Sequence, residues 1–564
     1  MGIPGLARRL EAHATRYSLE ELKGYHAIID GPSLAYHAHK LALAALDRGN
    51  VSRIPAYTDI TFQALRWLRT LEGINIKVKA ILFDGALPQT KEAERITRTA
   101  RYNQQANGLR SNFPATTCPL PTSLGSVSYS FLAPALREAL ADSEYAPVTR
   151  NVPGEADDWC ALQATEEPAS LIVSDDTDLL LYDYSPEFRL LFYRDAELWP
   201  EPKFKGYSPS AICEELGLPN LTSFAYCLTH DSHSPESKLI GEAKRVDPTS
   251  QTYLDFVKRY TVAPTSEDFF FANRTVSSLQ NLDVRISEFI YQGLNSRLNP
   301  IVYLPFLVED QHRASAWAHG QDLRAVSYSI FTTDRSRVQE HRRKAQKVSL
   351  QEIELYPPQE LSVMMQSYAR NISAWIEWTA EREVPHSLTW PLFAIGIVLP
   401  ELNSAPSLAL WLRVLNANFD NTWEYIHLTA SLHAALYSLR FLKQCIKVWL
   451  SLHADGSSSL LPIASQIHTD LQSMGPITEL FLVPGQARKP QGDQELLQEL
   501  IAEVYASANV EVPIERVPNK KAKKQQQQQQ QREAERKERR QQESGTQAAA
   551  NSFDVLEFMN ARRS

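Results

Sequence analysis

The stretch "LIVSDDTDLLLYD", Leu171 to Asp183, decides how the chain is read. Its apolar opening predicts a buried strand, yet Asp175, Asp176 and Asp178 follow at once. Carboxylates so close repel one another and resist burial, so in the ionised form they need partners. Taken alone, the cluster is a solvated loop after a strand. The reading changes because other carboxylates arrive in the same way. "HAIID" ends in Asp30 and "KAILFD" ends in Asp84. "VPGEADDWCALQA" follows another strand-like run and puts Glu155, Asp157 and Asp158 on the first turn of a helix. Ordinary N-terminal capping accounts for that group by itself. Asp231, in "AYCLTHD", closes a helical run. Acids at the carboxyl ends of separate strands sit where open α/β sheets place their ligands.

Outward from these strands, the first 260 or so residues alternate apolar β-type runs with helical patterns, the sign of a parallel α/β sheet. Strands are expected at His26–Asp30, Lys79–Asp84, Ala146–Val152, Ser170–Asp176 and Phe188–Tyr193. Helical periodicity fits Tyr57–Leu71, Gln89–Gln104, Phe131–Ala141 and Ala156–Glu166. The predicted α/β domain covers 1–262, with a first region 1–102, a mobile Pro-, Ser- and Gly-rich loop at 103–128 and a second region 129–262. Strand signals then nearly vanish, and 263–485 reads as an all-α domain. The remainder, 486–564, reads as a linker, a disordered basic Gln-rich tail and a short apolar motif at the end.

The 564 residues, 43% hydrophobic and 22% charged, suit a soluble globular protein. Five scattered cysteines (Cys118, Cys160, Cys213, Cys227, Cys445) without a CxxC argue for a reducing, intracellular setting, nucleus or cytoplasm. They also argue against a zinc site. The longest apolar stretch, "PLFAIGIVLP", is too short to span a bilayer, so no membrane partner is expected. Arg8, Arg9 and Glu11 interrupt any secretory signal, and Leu6 rules out a myristoylation motif. The formal charge of −8 conceals nine Lys or Arg against three Glu between Asn519 and Arg540. An acidic body with a basic tail means that attraction to phosphate must be local. The tail could act as an import signal, a weak nucleic-acid tether or a solubilising end.

A ring of acids with no Cys or His pattern calls for hard divalent cations, Mg²⁺ or Mn²⁺, held by oxygen ligands. Two ions about 4 Å apart would clamp both oxygens of a phosphodiester during in-line displacement. A basic element should then face the acids. "FDGALPQTKEAERITRTAR" places Lys91, Arg95 and Arg98 on one helical face just after Asp84. A solvated face paired with Glu92 and Glu94 is the plainer reading.

These residues carry a family resemblance. "MGIPGLARRL", "IIDGPSLAYH", "FDGALPQTKEAERITR", "PGEADDWCA", "SDDTDLLLY" and "CEELGL…AYCLTHD" resemble, in order and spacing, the motifs of the flap-endonuclease and XPG nuclease superfamily, with its PIN-like domain. The resemblance covers roughly Met1 to Asp231. It implies metal-ligand roles for Asp30, Asp84, Glu155, Asp157, Asp176, Asp178 and Asp231. It further implies a catalytic pair at Lys91 and Arg98, and nucleic-acid contacts at Gly2, Lys91, Arg95 and Arg98. Asp158 and Asp175 match no family ligand and read as structural. "PIVYLPFLVEDQHRASAWAHGQDLRAVSYSIF" and "VQEHRRKAQKV" resemble the asteroid branch, which adds a helical domain. Flap endonucleases follow the acid matching Asp231 with a glycine-rich turn that grips duplex phosphates. Here "DSHSPESKLIGEAKRVD" offers Gly241 alone.

The implied function is a Mg²⁺-dependent, structure-specific 5′ nuclease acting on DNA or RNA by two-metal catalysis, with a place in DNA repair. The alternative is an idle nuclease-like fold that binds RNA or protein as a post-transcriptional regulator, with a protein partner on the helical domain or tail. "ILFDGALP" also suggests a phosphatase of the haloacid-dehalogenase kind, but that chemistry needs an Asp two residues before Asp84, where Leu82 stands. His37, His39 and His230 read as packing residues.

Overall fold

The computed structural model of the protein describes residues 2–47, 54–261, 279–294, 300–332, 336–454, 456, 458–487 and 493–513. Its first part is built on a seven-stranded mixed sheet: β1 (Thr15–Tyr17), β2 (His26–Asp30), β3 (Lys77–Phe83), β4 (Thr149–Asn151), β5 (Ser170–Val173), β6 (Arg189–Glu197) and β7 (Lys203–Tyr207). The strand order is β1-β7-β6-β5-β2-β3-β4. The run from β6 to β4 is parallel, while β7 and β1 add antiparallel at one edge. The chain steps from β2 outward to β3 and β4, then returns to the other side of β2 with β5. That reversal makes the crevice beyond β2 and β5 the topological switch point of the sheet.

Both faces of the central strands are covered, which is why they read as continuous apolar runs. Ala27, Ile29, Leu171 and Val173 face one core, while Ile28 and Ile172 face the other. The helices expected from periodicity appear as α2 (Tyr57–Gly73), α3 (Glu92–Asn112), α4 (Leu132–Ala141) and α5 (Ala156–Glu166), and the helical run before Asp231 as α6 (Leu221–His230); α1 (Gly31–Asp47), which periodicity does not single out, follows β2. The α/β expectation is borne out.

The segment expected as a loop at 103–128 differs. α3 continues to Asn112 and a short 3-10 stretch covers Pro121–Ser128. Polar residues of this segment are buried with partners, which hydropathy does not reveal: Asn103 Nδ2 donates to Gln346 O at 2.8 Å and Arg110 Nε to Asp310 at 2.7 Å. The residues after α3 are tied down too, since Cys118 N donates to Asn421 O at 2.7 Å and Trp423 N to Thr116 O at 3.0 Å.

Farther along, α7 (Val284–Leu294), α8 (Gln321–Phe331), α9 (Pro358–Glu381), α10 (His386–Val398) and α11 (Trp423–Leu452) give the expected helical region. It also contains a three-stranded sheet, β8 (Ile301–Tyr303), β9 (Arg337–Lys344) and β10 (Lys347–Glu354), in the order β10-β9-β8. The expected boundary at 262/263 lies outside the described residues. Among the described residues the two parts share a core: one apolar cluster runs from Leu22 to Tyr505, and Met1–Glu511 is one compact unit. Phe131 of the α/β part stacks on Tyr437 at 5.4 Å and meets Phe481 at 4.4 Å. The basic tail and terminal motif lie outside the described residues. Among the described residues the five cysteines are free, and no helix is long and apolar enough to cross a membrane.

Candidate active site

Asp30 ends β2 and is buried. Gly31 follows because β3 passes too close for a side chain: a Cβ there would lie 2.6 Å from the Phe83 ring and 2.8 Å from Leu82 O. Asp30 Oδ2 accepts from Ser33 Oγ and Ser174 Oγ, each at 2.5 Å. Burial raises its pKa, these hydroxyls oppose the rise, and Asp176 adds repulsion. Asp84 follows β3 and accepts from Ala156 N, at the start of α5, at 2.9 Å. Burial pushes its carboxyl up to about 6, with Asp30 and Glu155 reinforcing and the Ala156 amide and Arg95 opposing.

Glu155 occupies the N-cap position of α5 in extended backbone but caps nothing with its side chain. It reaches Lys91 Nζ at 2.9 Å instead. Asp157, in the first turn, is the hub. Its pKa is raised well above the usual carboxylate range by burial and then by Asp30, Asp176, Asp84 and Glu155. The positive end of a helix should lower it, so burial and repulsion win. Asp176 begins the turn after β5, where its Oδ1 accepts from Asp178 N and Gly2 N, both at 3.0 Å. Asp178 accepts from Ile3 N at 2.6 Å and Tyr260 Oη at 3.2 Å, and burial followed by Asp176 pushes it up to about 6. A Cβ on Gly2 would run into Thr177 Oγ1 and the Oδ1 atoms of Asp176 and Asp178.

The structure therefore brings Asp30, Asp84, Glu155, Asp157 and Asp176 into mutual repulsion at the switch point, with Asp178 and Gly2 beside Asp176. Asp231 is not drawn in. At the surface after α6, it accepts from His233 N at 3.2 Å and Ser234 Oγ at 2.6 Å, and Lys238 lies 3.5 Å away. The Ser234 hydroxyl first, then the His233 amide and Lys238, hold it below its usual pKa. Asp158 accepts from Tyr182 Oη at 2.6 Å, and Asp175 engages Tyr193 N and Lys40.

Of the cations, Lys91 leans onto Glu155. Burial would lower its pKa, but Glu155 and Glu94 outweigh it and raise the value. Arg98 pairs with Glu94 at 2.7 Å on its own helix. Arg95, expected to be open to nucleic acid, is spent on Glu288 of α7 at 2.8 and 2.9 Å and lies 4.3 Å from the Tyr303 ring centroid. Sequence reasoning missed Ser33, Ser174, Tyr260 and Glu288. Only the first two carried a signal, as hydroxyls inside "DGPS" and "SDDTD".

The donor set is all oxygen, which fits a hard divalent cation. Among the described residues no three His, Cys, Asp or Glu side chains are close enough to hold one ion together.

Residues 128–355 match the family model described as XPG domain containing. Glu155, Asp157, Asp176, Asp178 and Asp231 lie inside that segment, and Asp30 and Asp84 lie before it. No curated protein matches the chain. Among solved structures it is similar to human GEN1 in complex with Holliday junction DNA, with 17% identity, a TM-score of 0.28 and coverage of 46% of this chain and 59% of that one. It is also similar to the catalytic core of Rad2 in complex with DNA substrate, with 15% identity, a TM-score of 0.27 and coverage of 46% and 77%. The chain thus spans less than two thirds of the GEN1 chain. The matched segment carries the sequence pattern of an XPG domain. The match spans less than half of the chain, and what it shows is an XPG-type segment at 128–355.

Proposed function

We propose that the protein is a Mg²⁺-dependent 5′ nuclease that hydrolyses phosphodiester bonds in nucleic acid. The observation that carries this reading is Asp157, an ionisable group on which Asp30, Asp84 and Asp176 converge from separate elements, beside Glu155 of its own helix start. A fold keeps such repulsion where a cation offsets it, and strongly perturbed groups cluster at functional sites. Asp30, Asp84, Glu155, Asp157, Asp176 and Asp178 would hold the ions, two in number, with Asp231 an outer member of the set. Bound there, divalent metal supplies an activated water and offsets charge on the phosphodiester oxygens. Ser33 and Ser174 hold Asp30 in one orientation, and Gly2, without a side chain, lets its backbone N–H approach Asp176 closely. Lys91, released from Glu155, and Arg98, released from Glu94, would orient the scissile phosphate and balance its developing charge. We assign 263–485, whose described residues are mainly helical, to the helical domain of the asteroid branch, and the activity to an intracellular role in DNA repair.

A second reading, an idle acid ring in an RNA- or protein-binding regulator, is favoured by one observation. Lys91 already neutralises Glu155, at 2.9 Å. The experiment that separates them is cleavage of 5′-flap, duplex and single-stranded DNA and RNA with Mg²⁺ or chelator. Mg²⁺-dependent cleavage abolished by Asp84→Ala supports the nuclease. Binding without cleavage of any substrate supports the regulator.

A further inference from the structure

The helix that carries Arg98, and that Lys91 leads into, is held unevenly along its length. In its second half Asn103, Ala106, Leu109 and Arg110 are buried, with Asn103 fixed to Gln346 O and Arg110 to Asp310 and over the Trp423 ring. In its first half Ala93, Glu94, Ile96, Thr97 and Arg98 are exposed. A helix end with so few apolar contacts opens locally at low free-energy cost. Among the described residues, the buried tie from this half to the region beyond residue 280 is Arg95. It makes two hydrogen bonds from Nη1 to the nearly buried Glu288 and has the Tyr303 ring beneath its guanidinium. Glu92 adds a lesser contact to Tyr303. One turn before Arg95, Lys91 reaches across to Glu155.

We propose that Glu288 is a positioning residue: by pinning Arg95 it sets the first half of α3 over the acid cluster, so that Lys91 and Arg98 stand at the phosphate position before substrate arrives. The catalytic part of this inference rests on the nuclease reading; the pin itself does not. Glu288 acts through Arg95, whose guanidinium it holds with both carboxylate oxygens, and it also accepts from the backbone N–H of Leu87 ahead of the helix. A preset cation saves the ordering step that a free helix end would need on each encounter, and a displacement of about 1 Å at such a group costs about a hundredfold in rate.

The test uses the full chain and two readouts. Hydrogen exchange of Glu288→Ala should rise about tenfold or more for amides 92–98 and change less than about twofold for 103–112. Arg95→Ala should give the same pattern, and the double variant no more than either alone, because both cut one link. Equal exchange in the two halves, or no change at 92–98, overturns the pin. On whichever nucleic acid the wild type cleaves, Glu288→Ala should lower kcat about tenfold or more with KM within about threefold. A rise in KM alone overturns the positioning role. A wild type that cleaves nothing overturns the nuclease reading and this kinetic role, and exchange then decides the pin. Should Glu288→Ala fail to fold, Glu288→Gln keeps an acceptor oxygen, loses the charge and carries the same comparison.

Discussion

Replacing Asp84 with Asn should make the metal-free protein more stable at neutral pH. The carboxyl titrates near 6 in the fold against an ordinary value of 3.8, with burial as the main cause. A folded value above the unfolded one means that the native state holds the proton longer. Stability from this group is therefore full below about pH 4 and is lost as pH rises through about 6. The shift corresponds to about 3 kcal/mol, an upper bound because the half-buried group keeps some solvent. The amide introduced by Asp84→Asn has no charge to desolvate, and its Oδ1 can still accept from Ala156 N. In chelator at pH 7.5 Asp84→Asn should gain about 1–3 kcal/mol, and at pH 4 the gain should vanish. Saturating Mg²⁺ should reverse the order, since a ligand at about a hundred times its Kd adds about 2.7 kcal/mol to whichever protein binds it. The assay is denaturant or thermal unfolding of both proteins in chelator and in Mg²⁺. An Asp84→Asn protein less stable than wild type in chelator at pH 7.5, or stabilised by Mg²⁺ as much as wild type, would refute the argument that repulsion awaits a cation.

Gly2→Ala should lower any Mg²⁺-dependent cleavage about tenfold or more with little change in Tm, because its Cβ displaces the Asp176 and Asp178 carboxylates rather than core packing. Glu340→Ala should cost about 3–5 kcal/mol, since it strands Arg324, fully buried and bonded to it at 2.7 Å. The Arg324→Met, Glu340→Leu double variant should recover most of that loss in thermal unfolding. His39 is buried against the Tyr129 ring, and burial depresses its imidazole to about 4. The unfolded chain therefore binds the extra proton, and stability should fall by up to about 3 kcal/mol as pH drops from 6.5 to 4. His39→Phe should flatten that slope in denaturant titrations at each pH.

The parallel strands and the acids at their ends were legible because two buried faces leave an apolar run, and a carboxylate at its end breaks the pattern abruptly. The placing of Asp30, Asp84 and Asp176 followed from that, whereas Glu155 and Asp157, on the first turn of a helix, were singled out by the family resemblance. The small sheet was not legible. The buried side chains of β9 include Glu340 and Arg343, on opposite faces of the strand, which pair with Arg324 at 2.7 Å and with Glu309 at 2.6 Å, so the strand reads as charged. Its turn, Ala345–Gln346, carries none of the Asn-Gly chemistry that marks a tight hairpin, although Ala345 has φ +52°. The continuation of α3 failed for the same reason, since partners from distant sequence satisfy its buried Asn103 and Arg110. Arg95 read as available because its acid, Glu288, lies 193 residues away. The placement of Asp231 depended on which neighbours the following turn would bring, and Ser234 and Lys238 come from within that turn.

The same turn bears on how a nucleic acid would be held. From Asp231 to Thr261, all described, no residue adopts a left-handed φ. Gly241 lies inside the helix Glu236–Ala243, where an added Cβ would come no nearer than 3.6 Å to Arg245. It therefore serves neither a turn nor a close approach, and successive backbone N–H groups form no anion-binding nest of the kind that requires such φ values. The polar groups of this segment are engaged with one another. Lys238 pairs with Asp231 and Glu242, and Arg9 Nη2 donates to Ser232 O and Ser234 O. A phosphate backbone held here would meet side-chain cations, of which Lys238 is already shared with two acids. Such contacts are side-chain ion pairs, weakened by salt to a degree that backbone N–H contacts are not. The acid cluster and the grip on nucleic acid are thus separable features of the fold: five carboxylates converge at the switch point whether or not the surface after α6 can bind a duplex.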